Sequence, residues 1–576
     1  MRVNVPISAG AWAGLFSRWD VLAFLLILGL LVFLGEASRH LFEPLTALQQ
    51  QPTSLDPRNL PEYAARTTLR MLIAMVASLI FTFTYATLAA KNKTAERLLV
   101  PLLDILQSVP ILGFISVTVV FFMALAPGRV LGAEFASIFA IFTSQAWNMA
   151  FSFYQSLRTI PTELEEATRN FGLTPWMRFW RLDVPFAMPQ LIWNMMMSMS
   201  GSWFFVVASE AISVGNTTVT LPGIGSYIAL AIEHRDLVAV CWAIGTMLIV
   251  IFIYDQVLFR PLVAWADRFR FEQEPGALAP ESWVFDVLRR SRLIERLTAP
   301  FAVLWQLTFR PHRPDKPAAP MPRISAIGEG RFAFQAGLIV FALAAIALWQ
   351  TVRFAIEGIT LADVMTTLVL GLATLARVVV LIAMASVVWV PIGVWVGVRP
   401  RAANLVQPVA QFLAAFPANL LFPIVVSIIV AWKLSPNIWL SPLMILGTQW
   451  YILFNVIAGA TAIPNELRAV GMNFRVRGWL WWRRIALPAV LPYYVTGAIT
   501  ASGGSWNASI VAEVASWGNE HLQADGLGAY IAQQTDAGNF HKIVLGIAVM
   551  SLFVVVVNRL FWRPLYYYAE RKFRLG

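Results

Sequence analysis

The sequence predicts an all-α integral membrane protein with twelve transmembrane helices, arranged as two tandem six-helix domains. Three observations carry this. The 576 residues are 58% hydrophobic and only 13% charged, about half the charge a soluble protein of this size needs to cover its surface, so lipid must solvate most of it. Apolar runs long enough to cross a bilayer recur along the chain, and helices are their default because lipid-exposed backbone must satisfy its own hydrogen bonds. The chain also matches itself at an offset of 303 residues.

That offset places Ile160-Pro161-x-Glu163-Leu164 on Ile463-Pro464-x-Glu466-Leu467 and Asn170-Phe171 on Asn473-Phe474. It places Trp176 on Trp479, Arg181 on Arg484, and Pro185 and Pro189 on Pro488 and Pro492. Gly201-Ser202-Trp203 falls on Gly504-Ser505-Trp506 and Glu210 on Glu513, and the series closes with Arg260-Pro261-Leu262 on Arg563-Pro564-Leu565. One register surviving for about a hundred residues is the mark of a tandem duplication.

Taken in order, Arg2 and Arg18 precede the apolar Val21–Gly35, and with no small-residue cleavage site after it this reads as a retained first helix. Spans follow near 68–90, 102–126, 133–154, 190–214 and 237–259. The second half repeats them near 333–352, 366–397, 409–432, 437–458, 493–517 and 541–562. An even count per half keeps both halves in one orientation. The expected boundaries are 1–271 for the first domain, 272–332 for a linker and 333–576 for the second domain. The linker is polar and Pro-rich, yet Trp283–Leu307 has apolar residues at helical spacing with Arg289, Arg290 and Arg292. It reads either as an amphipathic helix on the inner membrane surface or as a helix packed on the protein itself.

The net charge of +11 does not point to nucleic acid, because the bases sit at the ends of apolar segments. With the N-terminus inside, the inner segments carry Lys91, Lys93 and Arg97, then Arg158, Arg169, Arg178 and Arg181, then Arg260, Arg268 and Arg270, and the second half repeats the bias. Both termini are therefore expected in the cytoplasm. The one cysteine, Cys241, excludes a disulfide framework or thiolate cluster within the chain and reads as a small buried hydrophobe.

Between the fourth and fifth spans lies a charged, Pro-punctuated island, EEATRNFGLTPWMRFWRLDVPFAMP, over 165–189. Its Glu165-Glu166-Ala167, then Gly172, then Leu182 and Pro185, resembles the EAA loop of ABC-importer permease subunits. Leu106-Gln107-Ser108-Val109-Pro110, echoed by Leu413-Ala414-Ala415-Phe416-Pro417, resembles the third-helix pattern of the nitrate/sulfonate/taurine/bicarbonate branch of that family. So does the Ser-Trp pair followed by a Glu in each half. The resemblance covers all but the linker and at most the first span of each half.

It implies two six-helix type I importer permease domains in a bacterial inner membrane and a loop helix that docks in a groove of an ATPase subunit. Such a helix needs apolar anchors and a charged rim. Glu163–Phe171 has acids at its start, where a helix N-terminus favours them, with Leu164, Ala167 and Phe171 on one face. Gly172 would let the chain turn away, and Pro185 and Pro189 would mark re-entry into the membrane. The docking set is thus Glu163, Glu165, Glu166, Ala167 and Gly172, with Glu466, Ala469 and Arg475 in the second copy. There the acid pair has become Leu467-Arg468 and Arg475 replaces the glycine, which puts equal coupling of the two loops in question. The partners so implied are two ABC ATPase subunits, an external solute-binding protein and membrane lipid. No cofactor or metal is expected in this chain, since ATP and Mg would be bound by the partner ATPase. The chain has no G-x-x-x-x-G-K-[ST] phosphate loop.

For the path, polar residues inside the bilayer are the pointers. Ser202, Trp203 and Glu210, with Ser505, Trp506, Asn507 and Glu513, lie along the fifth span of each half, and a pseudo-twofold would set the two acids facing one another. Two readings stand: a pathway or gate, or carboxylates that tie down backbone amides of the Gly215-Asn216 and Gly518-Asn519 turns. Pro110 and Pro417 would break the third helices, either at a permeation site or as packing kinks. The expected activity is translocation of a small polar solute or oxyanion. A gradient-driven secondary transporter with parallel repeats is the alternative, and a docking component that does not transport is a third reading.

Overall fold

The computed structural model describes residues 18–38, 44, 53–108, 111–214, 217–269, 282–309, 346, 349–350, 353 and 358–573. The first half begins with α1 (Arg18–Ser38), α2 (Leu60–Lys91), α3 (Lys93–Ser108), α4 (Ile111–Leu125) and α5 (Val130–Arg158). A cytoplasmic-type connector follows with α6 (Thr162–Asn170) and α7 (Pro175–Arg178), then α8 (Val184–Glu210), a hairpin of β1 (Ala211–Val214) and β2 (Thr217–Thr220), α9 (Ile224–Glu233), α10 (Leu237–Tyr254) and α11 (Arg260–Ala266). The linker supplies α12 (Trp283–Arg290) and α13 (Arg292–Leu307).

The second half runs α14 (Leu361–Gly397), α15 (Pro400–Ala415), α16 (Phe422–Ala431), the short α17 (Pro436–Trp439) and α18 (Ser441–Leu446), then α19 (Gln449–Thr461). After α20 (Asn465–Asn473) and α21 (Gly478–Trp481) come α22 (Leu487–Ala512), a hairpin of β3 (Val514–Trp517) and β4 (Glu520–Gln523), α23 (Leu527–Asp536), α24 (Phe540–Val557) and α25 (Arg563–Phe573).

Among the described residues seven continuous helices are long and apolar enough to cross a membrane, and two bent pairs bring the number to nine. The pairs are Pro400–Ala415 with Ala418–Ala431, bent by 76°, and Pro436–Leu446 with Gln449–Thr461, bent by 44°. The expected break of the third helix therefore falls at Pro417 as placed, while Pro110 lies outside the described residues. The expected span near 333–352 lies mostly outside them too.

Four proline-linked wide turns recur in register. Phe179–Asp183, Asp255–Phe259, Trp482–Ala486 and Asn558–Trp562 are π-helical. Each is followed two residues later by a proline: Pro185, Pro261, Pro488 and Pro564. A proline ring clashes with the carbonyl four residues back and lacks the N–H that would bond it, and a widened turn relieves both problems without breaking the helix. Pro185 and Pro189, expected to mark re-entry into the membrane, do not interrupt the helix. Helix is continuous over Pro175–Glu210, with Pro189 inside it.

The fold is helical as expected, with one addition per half. The expected fifth spans 190–214 and 493–517 end at Glu210 and Ala512, and an antiparallel hairpin follows each. Gly518 at the β3–β4 turn has φ +59°, the left-handed value a two-residue hairpin loop requires. Each half has its own apolar core, and the cores interdigitate: Leu420 belongs to the first-half core and Ala140 to the second. In the second core α14 meets α19 through Gly393 and Gly397, where an added Cβ would lie 2.6 Å from Val456 and from Ala460. Small residues four apart let two membrane helices approach this closely. Cys241, expected buried, is exposed on α10, where acyl chains would cover it.

Candidate functional site

A cavity of about 80 Å³ lies where the two halves meet, lined by α8 and α22, by the break after α15 and by α18–α19. Its polar groups are the side chains of Ser200, Thr448, Tyr451 and Asn507, and among the described residues no charged side chain lines it. Side chains bond backbone groups of the opposite half across this seam, two of them at helix ends, where backbone groups are left unpaired. The Asn507 side-chain oxygen accepts from the Ile111 N–H at 2.6 Å, at the first residue of α4. Likewise the Asn419 amide donates to the Phe204 carbonyl at 3.2 Å. Ser200 donates to the Ala414 carbonyl at the end of α15, and Tyr451 donates to the Met197 carbonyl at 3.5 Å. Phe204 and Asn507 occupy matched positions of the repeat, so the seam carries a phenyl on one side and an amide on the other.

Of the expected path residues, Asn507 lines this cavity and Pro417 sits in the break beside it. Ser202 instead bonds Ser144 at 2.6 Å and Ser505 bonds Thr448 at 3.1 Å, each within its own half. Trp203 packs edge-on against Tyr254 and Trp506 stacks on Phe553, both buried.

Glu210 and Glu513 do not meet across an axis: the bonds of each stay within its own half. Glu210, fully buried, accepts from Thr67 at 2.7 Å, from Arg70 at 2.6 Å and from the Gly225 N–H at 2.6 Å. Arg70 also makes two 2.6 Å bonds to Glu134. These bonds tie α2, α5, α8 and α9 together. The amide that Glu210 holds belongs to the first turn of α9, not to the Gly-Asn turn. The second half repeats the design more loosely. Glu513 accepts from Thr374 at 2.8 Å, from Arg377 at 3.0 Å and from the Ala529 N–H at 3.1 Å. The place of Glu134 is taken by Asn437, which accepts from Arg377 at 3.0 Å and donates to Asp525 at 2.8 Å.

The two loop helices α6 and α20 have the same length and end the same way. Gly172 has φ +64°, its N–H bonds the Arg169 carbonyl, and Leu173 N–H reaches the Thr168 carbonyl. Arg475 has φ +52°, with its N–H on Met472 and Val476 N–H on Gly471. Glu163, Glu166, Glu466 and Ala469 are exposed and Ala167 is half-buried. Phe171 and Phe474 stand 81% and 78% exposed just past the helices. Glu165 is not a free rim acid: it pairs with Arg178, which also lies 3.5 Å from the buried Asp183. In the second loop Arg468, at the position of Glu165, donates to the Ala460 carbonyl near the end of α19.

Sequence reasoning passed over Arg70, Glu134, Arg377, Ser200, Thr448 and Tyr451. For the arginines a signal was present: Thr67-x-x-Arg70 and Thr374-x-x-Arg377 repeat, but at an offset of 307. A four-residue shift between the third and fourth spans hides them from the 303-residue register. Among the described residues no group of three or more His, Cys, Asp or Glu is placed to hold a metal ion.

Comparison with known proteins agrees with this architecture. The chain is 27% identical over 188 residues to a nitrate import permease protein of Leptolyngbya laminosa, and 26% identical over 188 residues to a bicarbonate transport system permease protein of Synechococcus elongatus. Each alignment takes in 33% of this chain and 64% of the relative, so the chain spans just under two thirds of the length of these relatives. It is 22% identical over 265 residues to the taurine transport system permease protein of Escherichia coli, covering 46% of this chain and 90% of that one. The profile of binding-protein-dependent transport system inner membrane components matches twice, over residues 68–262 and 389–574. Two matched copies, two clamped helix sets and a shared seam lead to one conclusion: the chain belongs to the family of binding-protein-dependent transport system inner membrane components, as a tandem of two such domains.

Proposed function

We propose that the chain forms the complete translocation pore of an ATP-driven importer, driven by two separate ATPase subunits that bind α6 and α20. The observation that carries this reading is the pair of matched loop helices, each closed by a left-handed residue and each presenting an exposed phenylalanine, beside exposed Glu163 and Glu166 in the first and exposed Glu466 in the second. That is the pattern of apolar anchor and charged rim used in helix-in-groove recognition. ATP and Mg belong to those partners, the termini face the cytoplasm, and a solute-binding protein delivers the cargo outside.

The cargo is a small polar solute or oxyanion, in line with what the nitrate, bicarbonate and taurine relatives are named for. The seam cavity supports this class. It has room for a few waters or one small solute, and its lining includes polar groups and, among the described residues, carries no fixed charge that would hold an anion too tightly to release.

The test is purification of the tagged chain in mild detergent, wild type against Glu166→Arg with Glu466→Arg and against Phe171→Asp with Phe474→Asp. The expected result is a co-purifying subunit that hydrolyses Mg-ATP and is lost from both double variants. A preparation that transports in vesicles under an ion gradient, with no ATP-hydrolysing partner, would sink this reading in favour of a gradient-driven carrier.

A further inference from the structure

We propose that the linker helices α12 and α13 lie on the inner leaflet and use anionic phospholipid headgroups to brace the first loop. The brace itself is independent of the ATPase; only its description as a brace on a docking loop rests on the function proposed above.

The linker is fastened at two points. At the junction of its helices, buried Ser291 donates to Asp20 at 2.9 Å and the Leu293 N–H donates to the same carboxylate oxygen at 2.8 Å. Arg290 lies 5.2 Å over the Trp19 ring beside this bond, and Arg268 lies 5.4 Å over Phe285. At the far end Trp305 packs edge-on against Trp180 at 4.9 Å, and the Trp176 indole N–H donates to Thr308 at 3.3 Å. Arg181 lies 5.6 Å over Phe309. Asp20 is in the first turn of α1, and Trp176 and Trp180 lie at the start of the long helix that ends at Glu210. Both anchors thus sit where membrane helices begin on the side the basic residues assign to the cytoplasm. A helix of 16 residues, about 24 Å long, held between them runs along the membrane surface.

Its outer face is not covered by protein among the described residues. Leu297 and Leu304, seven residues apart on one face, are 52% and 62% exposed. Arg292 and Arg296 flank that face and are exposed. Across 283–309 four arginines stand against Asp286 and Glu295, a net +2. An apolar face rimmed by arginine is the arrangement that lies at the boundary of an anionic bilayer. Among the described residues the second half has no such cover: Trp479, matched to Trp176, is 74% exposed.

Hydrogen–deuterium exchange of the full chain in nanodiscs tests this without any partner. Discs of phosphatidylcholine alone are compared with discs containing a third phosphatidylglycerol. Anionic lipid should slow exchange in peptides from 283–307 and also in peptides from 175–183. Arg292→Glu with Arg296→Glu should remove the lipid-dependent slowing, a loss of up to about 30-fold for two arginines near an anionic surface. Trp305→Ala should keep the effect on 283–300 but lose it at 175–183. Wild-type exchange that is equal in the two discs, or a lipid effect untouched by the charge reversals, overturns the proposal and leaves that face to a protein partner.

Discussion

Lys91 meets Asp183 with Nζ 2.8 Å from Oδ2, and the carboxylate it meets is buried. At the matched positions of the second half stand Val398 and Ala486, while Glu165 and Arg178 are matched by Arg468 and Trp481. In their place Val398, Leu467 and Trp481 pack on a small apolar cluster with Ile463 and Ile485. Apolar packing thus stands where Lys91, Asp183 and Arg178 form ion pairs, while Arg468 keeps a charge and donates to the Ala460 carbonyl. Replacing both partners of a buried pair by apolar groups tends to be neutral or stabilising. Removing one partner is the costly case. Asp183→Ala strands Lys91, while Arg178 keeps Glu165, and should cost about 2 kcal/mol, less than for a wholly buried pair because Lys91 is partly exposed. Exchange should quicken over 162–183 and stay unchanged over 465–486. Equal quickening of both loops would refute the claim that they are held independently.

Gly172 and Arg475 adopt the same left-handed conformation, which only glycine takes without a penalty of about 1 kcal/mol. Arg475→Gly should therefore steady the second loop by about that amount, and Gly172→Ala should loosen the first by about as much. No neighbouring atom lies near the Cβ of such an alanine, so backbone strain alone is being read. Limited proteolysis of the two loops gives the order of stabilities, and a loop indifferent to either change would rule this account out.

Arg70 bridges Glu134 and Glu210, whereas Arg377 bridges Glu513 and the neutral Asn437. Arg70→Ala leaves two buried carboxylates without their cation and should cost about 3–5 kcal/mol, enough to lower the melting temperature in detergent sharply. Arg377→Ala strands one carboxylate in a more open site and should cost distinctly less. Glu134→Asn copies the second half and should be the mildest of the three. If Arg377→Ala proves as damaging as Arg70→Ala, the looser second clamp is not looser in energy.

The membrane class, the duplication, the two loop helices and the break at Pro417 were legible because each depends on local pattern: apolar run length, turn residues and a proline. The hairpins after Glu210 and Ala512 were not, since Ala211–Val214 and Val514–Trp517 simply extend an apolar run and nothing local separates strand from helix there. Glu210 was noticed as an intramembrane acid, but its partner Arg70 lies 140 residues away, and only packing of α2 on α8 brings the two together. Ser202 and Asn507 looked alike as polar residues of a fifth span. Which one faces the seam and which faces its own bundle is set by helix rotation, which a helix polar on several sides does not encode.

That rotation gives the last prediction. Asn507 is the residue of the expected path set whose side chain both lines the seam cavity and reaches across to the other half, through the Ile111 N–H. Asn507→Leu keeps the branched shape but leaves that N–H without its partner and removes an amide from the cavity, at a local cost of about 1–3 kcal/mol. Asn507→Asp keeps the acceptor but adds a negative charge to a cavity that has none. If the cargo is an oxyanion, uptake in proteoliposomes should fall further for Asn507→Asp than for Asn507→Leu, although aspartate is the better hydrogen-bond acceptor. For a neutral solute the order should reverse, because the bond to Ile111 would then dominate. Tyr451→Phe, which loses only a 3.5 Å bond to Met197, should change folding little and serves as the control for a cavity group that holds the seam only weakly.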